Sequence, residues 1–247
     1  MKDDLVRFSK TYGSVSLTGG EPTIRLDFME ILSFCSGIFN KVSIQTNGRR
    51  FSDMDFARAV CATGTNISVF LSFHSHKKVL HEKLSGSSGS FDQSVLGIKN
   101  LVSLGCNLGI NVVVMEQNYR ELGDTVSFLN GLGVNEIEFS FIHPNGRAWR
   151  NRKMLVPRIE DTLEHIKKAI DTAKVLKMRA FTERYPICFL GEYRSHATET
   201  MFGGSVGNRI LVFKPECNNC IRKHECSGFW ETYLDMFDVN LSPVLKE

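Results

Sequence analysis

The feature that most constrains the fold of this chain is a repeated alternation of short apolar runs with longer helical patterns. The apolar runs predict five strands, at residues 14–17, 41–46, 67–73, 108–115 and 136–142. Helical patterns lie between them, at residues 27–36, 53–62, 91–104 and 119–132. Consecutive strand–helix units imply a parallel sheet with right-handed crossovers. A barrel and a doubly wound sheet both satisfy this pattern, because periodicity alone does not choose between them.

The composition describes an ordinary soluble globular protein. The chain has 247 residues, of which 42% are hydrophobic and 23% charged, which is enough mass for a sizeable core. The net charge of +3 is too mild to indicate a nucleic-acid or membrane partner. No apolar run approaches a transmembrane span, and the first residues lack a signal-peptide pattern. We therefore expect a cytoplasmic protein.

The first predicted strand ends at a glycine pair, Gly19-Gly20, followed by Glu21 and Pro22. Glycines let another molecule approach the backbone, because no Cβ stands in the way. Glu21 would lie at the carboxyl end of a strand, where open α/β and barrel proteins place their ligands. A carboxylate beside bare backbone suits a ligand ammonium group. From these residues alone, a plain strand-to-helix turn with a solvated Glu is the better interpretation.

Polar residues recur where the other predicted strands end. They are Thr46, Asn47 and Gly48; Ser72, His74 and His76; Glu116 and Asn118; and His143, Asn145 and Gly146. In a parallel array the carboxyl ends of all strands lie on one face, so these residues are expected to converge. Each of these groups taken singly has an ordinary explanation; Asn-Gly, for example, is also a favourable turn. The recurrence over all five strands predicts a ligand-binding face.

The seven cysteines are unevenly distributed. Cys35, Cys61 and Cys106 lie singly in or beside apolar helical patterns and are interpreted as core thiols rather than disulfides. The other four gather in the last quarter of the chain: Cys188, Cys217, Cys220 and Cys226. A Cys-x2-Cys turn points two sulfurs at one metal or cluster, and the remaining two cysteines complete a set of four. Both structural zinc and an iron–sulfur cluster use four cysteines.

Three further segments complete the prediction. A long helix is expected from residue 159 to about 177, with acidic residues at its start and lysines near its end. Residues 85–90, rich in serine and glycine, predict a flexible loop. Residues 147–153 form a basic loop after the fifth strand, and either a solvated loop or a contact to a phosphate or carboxylate accounts for it.

The stretch from Leu17 to Thr23 resembles the motif that grips the methionyl amino group of S-adenosylmethionine (SAM) in radical SAM enzymes. The resemblance implies a partial (β/α)6 TIM-type barrel in residues 1–180, with this chain supplying strands two to six. It also implies a set of SAM-binding residues. They are Gly19, Gly20, Glu21 and Asn47, with Ser72 or His74 at the ribose and Asn118 on a later strand.

The cysteine spacing Cys-x2-Cys-x5-Cys resembles the auxiliary-cluster segment of the SPASM and Twitch extensions that follow many radical SAM barrels. The resemblance implies one auxiliary [4Fe–4S] cluster held by Cys188, Cys217, Cys220 and Cys226 in a cysteine-rich region spanning residues 181–247. The fuller SPASM pattern continues with another cysteine where this chain has Trp230, so one cluster is expected rather than two. His224 is expected to be solvated or to cap the segment.

This sequence departs from the family pattern at its start. Radical SAM enzymes hold the catalytic cluster with Cys-x3-Cys-x2-Cys, and no such motif occurs in these 247 residues. Residues 1–12 predict the tail of a first helix, so we expect the first strand and its cysteine loop to be absent. Without those thiolates the chain is expected not to cleave SAM.

The leading hypothesis is a radical SAM enzyme of the SPASM/Twitch type, seen without its N-terminal unit. The resemblance implies reductive cleavage of SAM, hydrogen abstraction from a peptide or protein substrate, and an electron donor as partner. One alternative is a non-catalytic remnant that binds a metal, SAM or a partner protein. The other is a TIM-like enzyme with structural zinc, which metal content separates from the first hypothesis.

Overall fold

The computed structural model describes residues 2–202 and 211–245. Within them, six strands form one sheet in the sequence order β1 to β6. The strands are β1 Ser14–Leu17, β2 Lys41–Thr46, β3 Ile67–Ser72, β4 Asn107–Val114, β5 Glu136–Phe141 and β6 Arg179–Glu183. The parallel pairing and the alternation with helices confirm the predicted partial α/β TIM-type barrel.

Helices follow most strands. They are α1 Lys2–Ser9, α2 Phe28–Ile38, α3 Met54–Ala62, α4 Lys78–Ser85, α5 Ser90–Ser103, α6 Leu122–Gly131, α7 Gly146–Arg150, α8 Arg152–Leu155, α9 Ile159–Val175, α10 Ile187–Leu190, α11 Thr198–Phe202 and α12 Glu231–Leu234. Two short strands, β7 Leu211–Val212 and β8 Phe229–Trp230, pair antiparallel near the chain's end. Over the described residues, no helix combines the length and apolar character needed to cross a bilayer.

The chain divides into two compact units. The N-terminal unit comprises residues 1–111 and 128–136, and the C-terminal unit comprises residues 112–127 and 137–247. The division at residue 180 that the sequence suggested stays a prediction.

In the N-terminal unit, the two faces of the sheet differ in chemistry. Strand pairing aligns Ile44, Val69 and Leu108 in one buried row. The neighbouring row on the opposite face is polar. It consists of Ser16, Ser43, Ser68 and Asn107. Because successive side chains of a strand alternate between faces, the apolar row packs into the core, where each buried side chain contributes about 1.5–3 kcal/mol. The polar row gives the other face the capacity to bind polar groups.

The cysteines of the N-terminal unit correct one prediction. Cys35 is a fully buried thiol, as expected for a core residue. Cys61 and Cys106 are instead joined as a disulfide, with their Cα atoms 5.8 Å apart. The interpretation of these two as unpaired core thiols was therefore wrong. The two cysteines are 45 positions apart in the sequence, so residue patterns do not reveal the contact, which exists only once α3 packs beside the turn that enters β4.

Aromatic packing organises the C-terminal unit. The rings of Tyr185 and Tyr233 each meet Phe141 edge-on with centroids 5.4 Å apart. The Tyr233 hydroxyl accepts a hydrogen bond from the first backbone N–H of α9, at Ile159, over 2.7 Å. This bond satisfies a donor that the start of a helix would otherwise leave unpaired. It ties the cysteine-rich end of the chain to the longest helix of the unit.

The five predicted strands and the long helix are confirmed, with ends that shift by one or two residues. The elements that escaped prediction include β6, α4 and the pair α7–α8, as well as the short elements that follow β6. Strand β6 is short and carries charged residues at both ends, so it lacks an apolar signal. Helices α7 and α8 lie in the basic segment read as a loop. The predicted serine and glycine loop contracts to the turn 86–89, where Gly86 (φ 67°) ends α4 and Gly89 (φ 75°) precedes α5.

Candidate functional site

Glu21 is held at the carboxyl end of β1 by four hydrogen-bond donors. Its Oε1 accepts from the Thr23 N–H (3.1 Å), the Thr23 hydroxyl (2.6 Å) and the Thr46 hydroxyl (2.7 Å). Its Oε2 accepts from the Asn47 N–H (2.7 Å). An ionised carboxylate offers about four acceptor positions, two on each oxygen. Oε2 therefore keeps the capacity to accept a bond from a ligand, while the other bonds fix the carboxylate in place.

The glycine pair leaves open space next to this carboxylate. Gly19 has φ 143°, which is a conformation that favours glycine. An added Cβ at Gly19 or Gly20 would meet no protein atom within 4 Å. The backbone here is exposed, so an approaching ligand would meet bare peptide groups beside Glu21.

The Asn47-Gly48 turn follows β2 and requires its glycine. Gly48 has φ 75°, and a Cβ there would collide with the side chain of Leu71. The Gly48 N–H donates to the Thr46 hydroxyl (3.0 Å), and the Asn47 side-chain oxygen accepts from the Arg49 N–H (3.0 Å). Thr46 thus connects the turn to Glu21. Asn47 itself stays exposed at the end of the strand.

A cavity of about 120 Å³ lies in the N-terminal unit and brings several predicted residues together. Asn47, Ser72 and His74 line it, as the sequence suggested. Arg49 and His81 also line it, and sequence reasoning missed both. The remaining lining consists of four serines: Ser85, Ser87, Ser90 and Ser94. Arg49 immediately follows the Asn-Gly turn, which was the available signal, whereas His81 lies on the unpredicted helix α4.

The two histidines of this cavity are neutral at pH 7. Burial lowers the pKa of His81 to about 4. Burial, and then the neighbouring His81, lowers the pKa of His74 to about 4. The Nδ1 atom of His81 accepts a hydrogen bond from the His74 backbone N–H (3.3 Å), which assigns the proton of the neutral ring to Nε2. The cavity therefore presents uncharged imidazoles and hydroxyl groups.

Asn118 belongs to the C-terminal unit and is buried, with 2% of its surface exposed. Its Oδ1 accepts from the Met115 N–H (2.8 Å), and its Nδ2 donates to the Val113 carbonyl (2.9 Å). These bonds shape the backbone where β4 ends. In the later turn, the Asn145 side chain accepts from the Gly146 N–H (2.7 Å) at the start of α7. The ligand-binding role suggested for Asn118 stays a prediction.

The four cysteines of the C-terminal region line one cavity. Its lining includes Cys188, Cys217, Cys220 and Cys226. Turn hydrogen bonds wind the segment around it: Cys220 N–H donates to the Cys217 carbonyl (3.1 Å), and Cys226 N–H to the Lys223 carbonyl (3.3 Å). His224 lies at the surface, 3.2 Å from Glu225. The structure thus brings Cys188 to the Cys-x2-Cys-x5-Cys segment from 29 residues upstream.

The electrostatics of this cavity favour the neutral form of three of its four thiols. Burial, followed by the neighbouring thiols, raises the pKa of Cys188 to about 12, and burial also raises the pKa values of Cys217 and Cys226. These three thiols are therefore protonated by themselves, and their ionisation needs a positive centre that offsets the lost solvation. Residues 2–202 and 211–245 contain no three His, Cys, Asp or Glu side chains close enough to share a single metal ion.

Comparison with known proteins adds a family and a fold. The profile described as the Radical SAM superfamily matches residues 3–129. A curated relative, a probable GTP 3',8-cyclase of Saccharolobus islandicus, is 29% identical over 194 residues, covering 74% of this chain. Among solved structures, Streptococcus suis SuiB bound to precursor peptide SuiA has a TM-score of 0.60 at 19% identity, over 73% of this chain and 42% of that one. The protein anSMEcpe with bound AdoMet and the Kp18Cys peptide has a TM-score of 0.55 at 19% identity, over 69% of this chain and 49% of that one.

These similarities support conclusions of different scope. At 19% identity the two solved structures bear on the fold alone. The chain spans 60% of the length of the curated relative it matches.

Proposed function

Because this chain belongs to the radical SAM superfamily, we propose that it supplies the SAM-binding face and one auxiliary cluster site of a peptide- or protein-modifying enzyme. The observation that carries the proposal is the fixed carboxylate of Glu21 beside bare glycine backbone. When SAM is bound and reduced in this superfamily, it supplies a 5′-deoxyadenosyl radical that abstracts a hydrogen atom from the substrate. In this proposal the reaction takes place in the cytoplasm. A separate electron donor supplies the electron that reduces SAM.

The residues of the N-terminal unit fit SAM in charge and shape. Oε2 of Glu21 binds the ammonium group, and the backbone at Gly19 and Gly20 admits the methionyl part. Asn47 and the hydroxyl of Ser72 bind the ribose, and His74 provides a neutral wall of the same cavity. Neutral histidines suit this role, because SAM carries a sulfonium charge that an imidazolium would repel.

The residues of the C-terminal unit fit an auxiliary [4Fe–4S] cluster. Four partly exposed cysteines line one cavity, and four thiolates are the usual ligand set of a [4Fe–4S] cluster. Zinc is the alternative occupant, since it also takes four thiolates. Cys188, Cys217, Cys220 and Cys226 would hold either occupant, and they would have to move closer together to share a single zinc ion.

The catalytic cluster has no matching ligand set in this chain. These 247 residues contain no Cys-x3-Cys-x2-Cys motif, and the four clustered cysteines would be used up as ligands of the auxiliary cluster. We assign no reaction step to the 247-residue polypeptide alone. A non-catalytic remnant that binds SAM, a metal or a partner is the alternative function.

The substrate class is the least constrained part of the proposal. The solved structures of SuiB and anSMEcpe hold peptides, which supports a peptide or protein substrate by analogy of fold. The name of the curated relatives, probable GTP 3',8-cyclase, favours a nucleotide as second candidate.

A cleavage assay tests this proposal. Under anoxia, with dithionite and SAM, the 247-residue chain should form no 5′-deoxyadenosine above background, yet it should bind SAM. A fusion that places a Cys-x3-Cys-x2-Cys loop before residue 1 should restore 5′-deoxyadenosine formation. Cleavage by the chain alone would contradict the proposal, and so would a chain that neither binds SAM nor carries iron.

A further inference from the structure

Among the described residues, Lys223 is the one lysine, arginine or acidic side chain in the lining of the four-cysteine cavity. Apart from the cysteines, the rest of that lining consists of prolines, a glycine and apolar side chains such as Phe229 and Leu241. Glu216, an acidic neighbour in sequence, is exposed and lies outside the lining. Apolar surroundings screen a charge less than water does, so the charge of Lys223 acts more strongly on a charged group in this cavity than it would at the open surface.

The ammonium group of Lys223 is held by two uncharged partners. Its Nζ donates to Asn218 Oδ1 (2.9 Å) and lies 5.4 Å from the centroid of the Phe213 ring. Phe213 lines the same cavity, so this ring contact places the ammonium group on the cavity wall that the cysteines share. An amide oxygen and an aromatic ring orient the ammonium group without neutralising it.

The other lysine and arginine side chains of residues 214–226 are matched by carboxylates. The Nζ of Lys214 donates to the Asp238 carboxylate (3.3 Å). The guanidinium of Arg222 pairs with Glu225 (2.9 Å). Over the part of the chain that the structure describes, Lys223 thus combines a place in the cavity lining with a charge that no carboxylate offsets.

We propose that Lys223 raises the reduction potential of the auxiliary cluster by compensating its negative charge. The inference rests on the proposed function, because it concerns the cluster that the four cysteines hold there. A [4Fe–4S] core with four thiolates is a net anion, and accepting one electron from the electron donor makes it more negative. A cation in the wall of the cavity stabilises the reduced form more than the oxidised form, and net charge around a cluster is one of the factors that set its potential.

Redox titrations of the reconstituted 247-residue chain test this inference. The EPR signal of the reduced cluster is followed against the solution potential under anoxia. Lys223→Met keeps a side chain of similar length and removes its charge, so its reduction potential should lie below that of the wild type. Lys223→Arg keeps the charge and should have a potential close to that of the wild type. Both variants should carry as much iron as the wild type, because neither changes a cysteine.

The matched control is Lys214→Met, which removes a lysine three residues before Cys217. The Lys214 ammonium group already faces Asp238 and lies outside the cavity lining, so this variant should keep a potential near that of the wild type. An unchanged potential in Lys223→Met would overturn the inference, and so would equal shifts in Lys223→Met and Lys214→Met. Loss of iron from both Lys223 variants would show a structural role and overturn it as well.

Iron and sulfide assays on the wild type test the proposed function separately. A wild-type chain with zinc and no sulfide would refute the auxiliary cluster and the role of Lys223 together. A loaded cluster whose potential does not respond to Lys223→Met would refute the role of Lys223 alone.

Discussion

The Glu21 site and the four-cysteine cavity differ in how far the protein alone arranges their side chains for a ligand. Glu21 receives hydrogen bonds from Thr23, Thr46 and Asn47, so its carboxylate is oriented by the protein itself. In the cysteine cavity, burial instead raises the pKa values of Cys188, Cys217 and Cys226, so these three thiols would ionise only beside a positive centre. The first site is preorganised by hydrogen bonding. In our proposal the second depends on its occupant, so metal binding there would contribute directly to local folding.

The largest expected effect is the loss of iron from the four-cysteine cavity. After anaerobic reconstitution the chain should carry about four irons with equivalent sulfide, and Cys220→Ala should remove most of that iron because one of four ligands is lost. Iron and sulfide assays measure the effect. His224 lies in the same segment but is exposed, so the His224→Ala variant should retain the full iron content. A preparation with stoichiometric zinc and no sulfide would instead identify a structural zinc site.

At the Glu21 site, substitutions should change the affinity for SAM rather than the amount of bound iron. Glu21→Ala should weaken SAM binding by about 1.5–3 kcal/mol, because a charge-assisted bond to the ammonium group is lost. Thr46→Val keeps the carboxylate but removes one of its donors, so its effect should be smaller, about 1 kcal/mol. Titration calorimetry of SAM into the 247-residue chain compares the wild type with the two variants. Equal affinity for wild type and Glu21→Ala would exclude Glu21 as the ammonium partner.

The smallest expected effect is a pH dependence of the N-terminal unit. Burial lowers the pKa of His81 to about 4, so the folded chain resists a proton that the unfolded chain accepts below pH 6.5. The free energy of unfolding should therefore fall as the pH falls from 6.5 toward 4. Urea denaturation at pH 7.0 and 5.5 should show about 1 kcal/mol more loss in wild type than in His81→Gln. An identical loss in both would show that His81 does not carry this dependence.

The sequence by itself determined the parallel sheet, because alternating strand and helix patterns permit few other arrangements. It also located the bare glycines beside Glu21 and the close spacing of Cys217, Cys220 and Cys226. These features are local: each depends on residues within one turn or one strand end, where backbone sterics and side-chain type decide the conformation.

Only the tertiary structure decided which distant groups meet. It paired Cys61 with Cys106, gave Glu21 its donors from Thr46 and Asn47, and added His81 to the cavity that Asn47 lines. It also added β6, whose five residues carry too little apolar signal to predict. Such contacts depend on packing between elements that are far apart in the chain. Packing follows from the shapes and volumes of whole surfaces, which residue patterns along one segment do not contain.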